Sequence, residues 1–283
     1  MDNEWEATTS TLVPVPPPAV WLRLPTYRSR FTPVLLGLIV LVWLAGIVYA
    51  LQRSGVRDPA SAVDLITQFV VGSNDPRVDQ TLLDFGAKVN YLIAHGEYWR
   101  LLTATFLHAS LPHLLLNGWA LYLFGPLIER LYGGWRFLVI YLIAGLGGSI
   151  ASFAFGAEVS VGASGAIFGL IGAMAVYYWL HRRLTGAQGR VQLTNALFMV
   201  VLNLGFGISQ AQIIDNWGHI GGLVFGSVAG LVLVPRYRPG AWLGPQERVL
   251  EDRLPPWGAA LASAGLLVGT VVSFLVALAF YRG

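Results

Sequence analysis

Seven apolar stretches, each long enough to cross a bilayer as a helix, constrain this chain more than any other feature of its sequence. They cover residues 33–51, 111–131, 137–155, 162–180, 193–209, 216–234 and 259–281. Their apolar residues do not alternate with polar ones as in a half-buried strand, and a helix of about 20 residues spans the hydrocarbon core. Only 12% of the residues are charged, about half the usual share of a soluble domain. The sequence therefore predicts an all-α polytopic membrane protein with seven transmembrane helices.

The distribution of positive charge predicts how these helices are oriented. If residues 1–30 are cytoplasmic, 12 of the 18 Lys and Arg residues fall on the inside, and five of the other six lie in one loop, residues 52–110. Short cytoplasmic loops of membrane proteins carry an excess of Lys and Arg. We therefore expect a cytoplasmic N-terminus and an external C-terminus. Because the chain is rich in arginine, poor in lysine and free of cysteine, we expect a bacterial cytoplasmic (inner) membrane.

The same pattern divides the chain into four parts. Residues 1–30 contain five prolines and few groups able to form a core, which favours a disordered, Pro-rich cytoplasmic tail. Residues 31–234 form a core of six transmembrane helices with a long first outside loop at 52–110. Residues 235–257 are a cytoplasmic linker, and residues 258–283 hold the seventh transmembrane helix.

Polar side chains lie at the starts of the second, fourth and sixth helices. These helices all run from outside to inside, so their N-terminal turns meet at one face of the membrane. Ser110 is a predicted N-cap, and Pro112 suits the first turn of the second helix. The converging polar residues are His108, His113, Asn117, Ser164 and His219. Polar groups in a bilayer usually face a bundle interior or a water-filled cavity. The sequence predicts either a polar site or interhelical hydrogen bonds that only hold the bundle together.

Regularly spaced glycines predict that the fourth and sixth helices approach each other closely. Gly165 and Gly169 are four residues apart on the fourth helix, and Gly222, Gly226 and Gly230 repeat that spacing on the sixth. Small residues at this spacing let helix backbones pack against each other. Close packing is what a hydrogen bond between Ser164 and His219 requires, although such glycines also serve packing alone.

Several motifs occur together in the order and on the helices found in the rhomboid intramembrane serine proteases, which this chain resembles. They are Gly162-Ala163-Ser164-Gly165, the run from His108 to Asn117, His219 followed by Gly222 and Gly226, Trp99-Arg100, and Glu129 with Gly133. The resemblance covers residues 33–234. With a seventh helix beyond a six-helix core, the chain is similar to the rhomboids of six-plus-one arrangement.

The resemblance implies a catalytic dyad without an acidic third member. Ser164 would be the nucleophile and His219 the general base, with the tetrahedral oxyanion held by the Ser164 backbone N–H, His113 and Asn117. Asp215 precedes His219 by four residues, but at a helix start it is predicted to be an N-cap or a solvated charge. The supporting positions are His108, Gly162, Gly165, Phe168, Trp99 and Arg100.

Two of the supporting assignments have a simpler interpretation. Phe168 lies one turn after Ser164, where the resemblance implies packing on the catalytic histidine, and where a core residue would look the same. Trp99 and Arg100 are predicted to pin the long outside loop at the membrane interface.

No cofactor, metal or nucleic acid is expected. His108, His113 and His219 could be imagined as zinc ligands, but the chain has no HExxH pattern and no carboxylate at their depth. The arginines flank the helices instead of clustering on a soluble domain, which argues against nucleic-acid binding.

The resemblance implies an intramembrane serine endopeptidase that cleaves a partly unwound, single-pass transmembrane substrate within membrane lipid. The site would open to the outer face, and substrate would enter beside the fifth helix and residues 206–215. The alternative is a catalytically inactive rhomboid-like protein that binds transmembrane clients. Such a protein would be expected to lack the nucleophile or the base, and both are present. The oligomeric state is left open.

Overall fold

The computed structural model describes residues 21–72, 75–156, 158–210 and 214–282. In chain order its elements are β1 (Trp21–Arg23), α1 (Phe31–Arg53), α2 (Pro59–Val71), α3 (Pro76–Asp84), β2 (Lys88–Val89), α4 (Asn90–Ala94), α5 (Arg100–Thr103), a 3-10 turn (Ala104–Phe106), α6 (Leu111–Tyr132), α7 (Gly134–Phe155), β3 (Val159–Ser160), α8 (Ser164–Leu180), α9 (Arg182–Ser209), α10 (Asn216–Leu233), β4 (Tyr237–Gly244), β5 (Glu247–Asp252) and α11 (Pro256–Arg282).

Long apolar helices confirm the predicted membrane architecture. Six helices in the described part of the chain are long and apolar enough to cross a membrane, namely α1, α6, α7, α9, α10 and α11. The remaining predicted segment is α8, which is apolar and has 17 residues. Each of these seven helices overlaps one of the seven apolar stretches. The chain is therefore an integral, multi-pass membrane protein.

One helix, α9, starts eleven residues before its apolar stretch. α9 begins at Arg182, whereas the apolar stretch begins at residue 193, and Gly186 interrupts it with φ of 56° and ψ of −135°. Leu, Arg and Gln are good helix formers, so the polar residues before the stretch are helical as well. Hydropathy thus marks the apolar part of α9 but misses its polar start and its break.

The loop predicted to be the first outside loop, residues 52–110, is largely helical where the structure describes it. α2 and α3 each begin after an aspartate whose side chain accepts a backbone N–H, with Asp58 capping Ser61 at 2.9 Å and Asp75 capping Arg77 at 2.8 Å. A proline occupies the first helical position in both cases, which suits a position whose N–H has no partner within the helix. These caps explain why a segment without long apolar runs still folds into short helices.

Residues 236–253 and the described residues 21–25 belong to a compact unit of their own. β4 pairs antiparallel with β5, and β1 pairs parallel with β5 in a register that sets Trp21 opposite Glu247. The predicted linker is thus a β-hairpin. The predicted disordered tail differs from the structure at residues 21–23, because backbone hydrogen bonds to β5 order a segment that has no core of its own. The rest of that tail, residues 1–20, lies outside the described residues.

α8 and α10 pack backbone to backbone, as the glycine spacing predicts. A Cβ atom added at Gly222 would lie 2.6 Å from the carbonyl carbon of Gly165, and one added at Gly226 would lie 2.5 Å from that of Gly169. No side chain fits at such distances, so the two glycine pairs allow the helices to meet. This contact sets the separation of the first turns of α8 and α10.

Candidate active site

Ser164 and His219 lie within hydrogen-bond distance of each other. Ser164 is the first residue of α8, and His219 is in the first turn of α10. The His219 Nε2 atom is 2.8 Å from the Ser164 Oγ atom. Both helices start at the same end of the glycine contact, which explains how residues far apart in sequence meet. A proton can pass between hydroxyl and imidazole across this distance.

The imidazole of His219 is held by an aromatic ring. Phe168 stacks on it with a centroid separation of 4.3 Å and an interplanar angle of 11°. The other ring nitrogen, Nδ1, is buried and has no hydrogen-bond partner among the described residues. Packing by Phe168 therefore orients the ring, a task that a carboxylate bonded to Nδ1 performs in a catalytic triad.

Asp215 is an N-cap, one of the two roles expected from its position. Its Oδ1 atom accepts the backbone N–H of Gly218 at 2.9 Å, and its Oδ2 atom accepts a hydrogen bond from the Ser152 hydroxyl. The carboxylate is thus bonded to the first turn of α10 and to α7. Among the described residues, the hydrogen bonds of Asp215 do not include the His219 imidazole.

His113 and Asn117 lie on one face of the start of α6. The Ser110 Oγ atom accepts the His113 backbone N–H at 3.2 Å, so Ser110 caps the helix as predicted. The Asn117 amide donates to the His113 carbonyl at 3.0 Å, and Asn117 is buried, with 6% of its surface exposed. The Asn117 side chain is thus fixed by its own helix.

Gly162 brings His113 next to the segment that leads to Ser164. Its φ of 128° belongs to the region that favours glycine. A Cβ atom added there would lie 2.7 Å from the His113 Nε2 atom and 3.9 Å from the Asn117 Nδ2 atom. Any larger residue would push the imidazole away. Gly165 acts similarly on the other side, since a Cβ atom there would lie 3.2 Å from the Gly218 carbonyl oxygen.

His108 packs against the ring of His113. Its side chain is buried, and its ring meets the His113 ring edge to face with a centroid separation of 5.1 Å. Neither ring nitrogen of His108 has a hydrogen-bond partner among the described residues. The contact restricts the positions open to the His113 ring.

Trp99 and Arg100 lie in the outside loop and contact its backbone. The Arg100 guanidinium donates to the Leu83 and Ala87 carbonyls at 2.7 and 3.1 Å and stacks on Trp99 at 4.7 Å. These contacts fit the predicted loop-pinning role. They tie α5 to the end of α3 and the start of β2.

Two residues near the site were not singled out by the sequence analysis. Ser152 lies on α7 and looks like one more small residue on an apolar helix, so no sequence signal distinguishes it. Lys88 is buried in β2, and the negative charge of Asp215 raises its pKa against the effect of burial. It carries a signal that could have been used, because it is the only lysine in the chain.

The sequence comparisons agree with this geometry. The family model described as Rhomboid domain matches residues 95–236. Rhomboid protease GluP of Bacillus subtilis is 45% identical over 197 residues, which are 69% of this chain and 35% of that protein. RHOMBOID-like protein 9, chloroplastic, of Arabidopsis thaliana is 36% identical over 58% of this chain and 37% of its own length. RHOMBOID-like protein 2 of the same plant is 44% identical over 56% of this chain and 50% of its own length.

The chain thus spans about a third to a half of the length of these relatives. The matched segment runs from the outside loop to the end of α10 and contains every residue of the cluster around Ser164 and His219. Family match, transmembrane helices and site geometry lead to one conclusion, that the chain belongs to the rhomboid family.

Proposed function

We propose that this chain is an intramembrane serine endopeptidase that cleaves transmembrane segments through the Ser164–His219 dyad. The observation that carries the proposal is the 2.8 Å separation of Ser164 Oγ and His219 Nε2. His219 takes the proton of Ser164 as the oxygen attacks a peptide carbonyl, and the same imidazole returns it to the leaving amine. In the second step His219 takes a proton from a water molecule as that water attacks the acyl-enzyme. His219 then returns the proton to the Ser164 oxygen as the carboxylic acid product leaves.

The oxyanion of the tetrahedral intermediate would be held by donors that are already in place. The Ser164 backbone N–H is one of the free donors at the start of α8, where the helix dipole also favours negative charge. The His113 ring and the Asn117 amide are the side-chain donors near the same segment. Donors fixed before the reaction stabilise developing charge without the cost of reorganisation.

The proposed substrate is a single transmembrane helix that unwinds locally, because an intact helix hides its amides in internal hydrogen bonds. Entry beside α9 is supported by its weak burial, since 11% of its apolar part is buried, the lowest share among the six spanning helices of the described residues. The remaining part of the proposed entry, residues 211–213, lies outside the described residues. The proposed setting is a bacterial cytoplasmic membrane, with a cytoplasmic N-terminus and a site open to the outer face.

A fluorescent fluorophosphonate tests the proposal without knowledge of a substrate. The detergent-solubilised full chain is expected to form an adduct that peptide mass mapping assigns to Ser164. Labelling should disappear in Ser164→Ala and His219→Ala, because the first lacks the nucleophile and the second lacks the base.

Ser273→Ala is the matched control, since Ser273 lies on α11 and its hydroxyl bonds the Gly269 carbonyl. It should label like the wild type. Folded wild-type protein without an adduct, or equal labelling of Ser164→Ala, would contradict the proposed function and favour the inactive client-binding alternative.

Asn117→Ala is expected to lower kcat by about 10²- to 10³-fold, the usual cost of removing one oxyanion donor. KM should change little, because the donor acts on charge that develops only in the transition state. Asn203→Ala is a matched control, since the Asn203 amide donates to the carbonyl four residues earlier at 2.8 Å, as that of Asn117 does. Cleavage of a model transmembrane substrate in liposomes measures both. Equal, small losses in the two variants would remove Asn117 from the oxyanion site.

A further inference from the structure

Lys88 is the only lysine among 283 residues, and its side chain is fully buried in the outside loop. Burial of an ammonium group is costly unless opposite charge is close. Burial lowers the pKa of Lys88 from its ordinary 10.5 to about 8, and the carboxylates of Asp215 and Glu158 counteract part of this shift. The ammonium therefore lies in an apolar setting that contains two specific carboxylates.

On one side, Lys88 is joined to the segment that carries the nucleophile. β2 pairs antiparallel with β3, and Lys88 is opposite Ser160, four residues before Ser164. The Glu158 carbonyl accepts the Asn90 backbone N–H at 3.1 Å, and the Glu158 carboxylate accepts that of Tyr91 at 3.2 Å. The backbone around Lys88 thus fixes the strand that leads to the nucleophile.

On the other side is Asp215, the N-cap residue of α10, whose negative charge raises the pKa of Lys88 and so opposes the effect of burial. The Asp215 carboxylate caps Gly218, and the Asp215 carbonyl accepts the His219 backbone N–H at 3.2 Å. The carboxylate also accepts the Ser152 hydroxyl of α7. It is tightly enclosed, since a Cβ atom added at Gly156 would lie 3.0 Å from its Oδ1 atom. Movement of Asp215 would move the first turn of α10 and its imidazole.

We propose that Lys88 is a positioning residue that, through Asp215, holds the Ser164 segment and the first turn of α10 at the separation the dyad requires. This inference rests on the proposed function. In this role Lys88 acts through the strand that precedes Ser164 and through the cap of α10. A displacement of about 1 Å at a reacting centre can cost about 10²-fold in rate.

The other charged groups near Lys88 do not account for this arrangement. Glu158 is bonded to the backbone of Tyr91. Arg100, on α5, is bonded to Glu97 and to the Leu83 and Ala87 carbonyls. Of the two carboxylates that act on Lys88, Asp215 is the one attached to the dyad. Lys88 is thus the buried cation between the strand that leads to Ser164 and the cap of α10.

A double-mutant cycle on Lys88→Met and Asp215→Asn tests the coupling. Each single variant is expected to lower kcat for a model transmembrane substrate by about 10- to 100-fold with KM within about twofold, because the groups are displaced and the substrate contacts are kept. The kcat of the double variant should be no more than about threefold below that of the less active single variant, because the effects of residues that act as a unit are not additive.

Arg77→Met is the matched control, since Arg77 is a cation of the same loop with its own ion pairs to Asp64 and Asp75 at 2.6 Å. It should keep wild-type kcat. Multiplied losses in the double variant, or unchanged kcat in Lys88→Met, would overturn the positioning role.

A pH series separates positioning from mere stability, because it changes the charge of Lys88 without replacing the residue. As the pH rises through about 8, Lys88 loses its charge, and wild-type kcat should fall relative to that of Lys88→Met. Because its pKa is lower in the folded state, Lys88 deprotonation makes unfolding less favourable as the pH rises from about 8 towards 10.5. Activity and the Lys88 contribution to stability should therefore change in opposite directions, which a purely structural lysine would not produce.

The single lysine makes the titration measurable. Isotope labelling of lysine gives one side-chain ammonium signal, and its midpoint should coincide with the fall in the activity ratio. Lys88→Arg keeps a charged group throughout this range and should lose the alkaline fall. A midpoint at the ordinary lysine value, or a constant activity ratio, would refute the inference while active wild-type protein left the proposed function intact. Wild-type protein that forms no fluorophosphonate adduct would refute both.

Discussion

Replacing Ser164 and His219 together is expected to lower cleavage of a transmembrane substrate no further than replacing either residue alone. The Ser164 Oγ and His219 Nε2 atoms are 2.8 Å apart, and in the proposed mechanism one proton moves between them, so the loss of either side chain removes the function of the other. Each single alanine variant should reduce kcat/KM by at least about 10⁴-fold, as in serine proteases whose catalytic residues act as a unit. Purified variants in liposomes, compared at long incubation times, measure this.

His95→Ala is a control for the loss of a histidine that lies outside the site. His95 is exposed in the outside loop, and its Nδ1 atom is 2.8 Å from the Tyr91 carbonyl oxygen. It should cleave at the wild-type rate. Losses that multiply in the Ser164 and His219 double variant would mean that the two residues act independently, and they would contradict a dyad.

Because no carboxylate of the described residues bonds the His219 Nδ1 atom, the orientation of the imidazole depends on Phe168. The stacked ring restricts the imidazole to one plane, and the helix start fixed by Asp215 sets its height along α10. Orientation here comes from packing and from a helix cap, both of which are rigid in a buried site. The ring contact and the helix cap supply the fixed imidazole that the proposed dyad requires.

The transmembrane helices and the meeting of Ser164 with His219 could be predicted because both follow from local sequence. Apolar length determines the spans, and the alternation of direction places the first turns of the second, fourth and sixth helices at one face. The glycines at 222 and 226 then indicate that α10 approaches α8. Apolar length, helix direction and glycine spacing can all be read without knowing which distant segments pair with each other.

The remaining features depend on partners that are distant in sequence. β1 is ordered by its pairing with β5, which lies more than 200 residues away in the chain. The three residues of β1 are too few to show a strand pattern in the sequence. The caps Asp58 and Asp75 were visible as Asp-Pro pairs, but the short helices they begin lack long apolar runs. Lys88 acquires its meaning only when β3 and Asp215 surround it.

Glu129 gives the second prediction, because it closes the N-terminus of α1. Its carboxylate is fully buried and accepts hydrogen bonds from the Arg30, Phe31 and Thr32 backbone N–H groups and from the Ser29 and Thr32 hydroxyls, at 2.6 to 3.0 Å. α1 has no side-chain cap from its own N-cap residue, Arg30. The last turn of α6 thus supplies the acceptor that the start of α1 lacks.

Glu129→Ala is expected to lower the free energy of unfolding by roughly 3 kcal/mol or more, since each buried donor that loses its acceptor costs about 1–3 kcal/mol. Glu129→Gln keeps one acceptor oxygen and should lose less. Glu251→Ala is the matched control, because its ion pair with Arg238 is exposed and 3.4 Å long, and such pairs contribute about 0–1 kcal/mol. Unfolding in detergent measures all three.

Equal stability of Glu129→Ala and Glu251→Ala would show that the α1 terminus is satisfied by other groups. A loss of unfolding free energy confined to Glu129→Ala would show that the start of α1 depends on α6. The Ser164 and His219 contacts depend on α8 and α10 packing, and Glu129 contacts neither residue, so a Glu129→Gln variant that remains folded should keep its rate of fluorophosphonate labelling. Stability and catalysis would in that case be set by opposite ends of α6, with Glu129 in its last turn and His113 in its first.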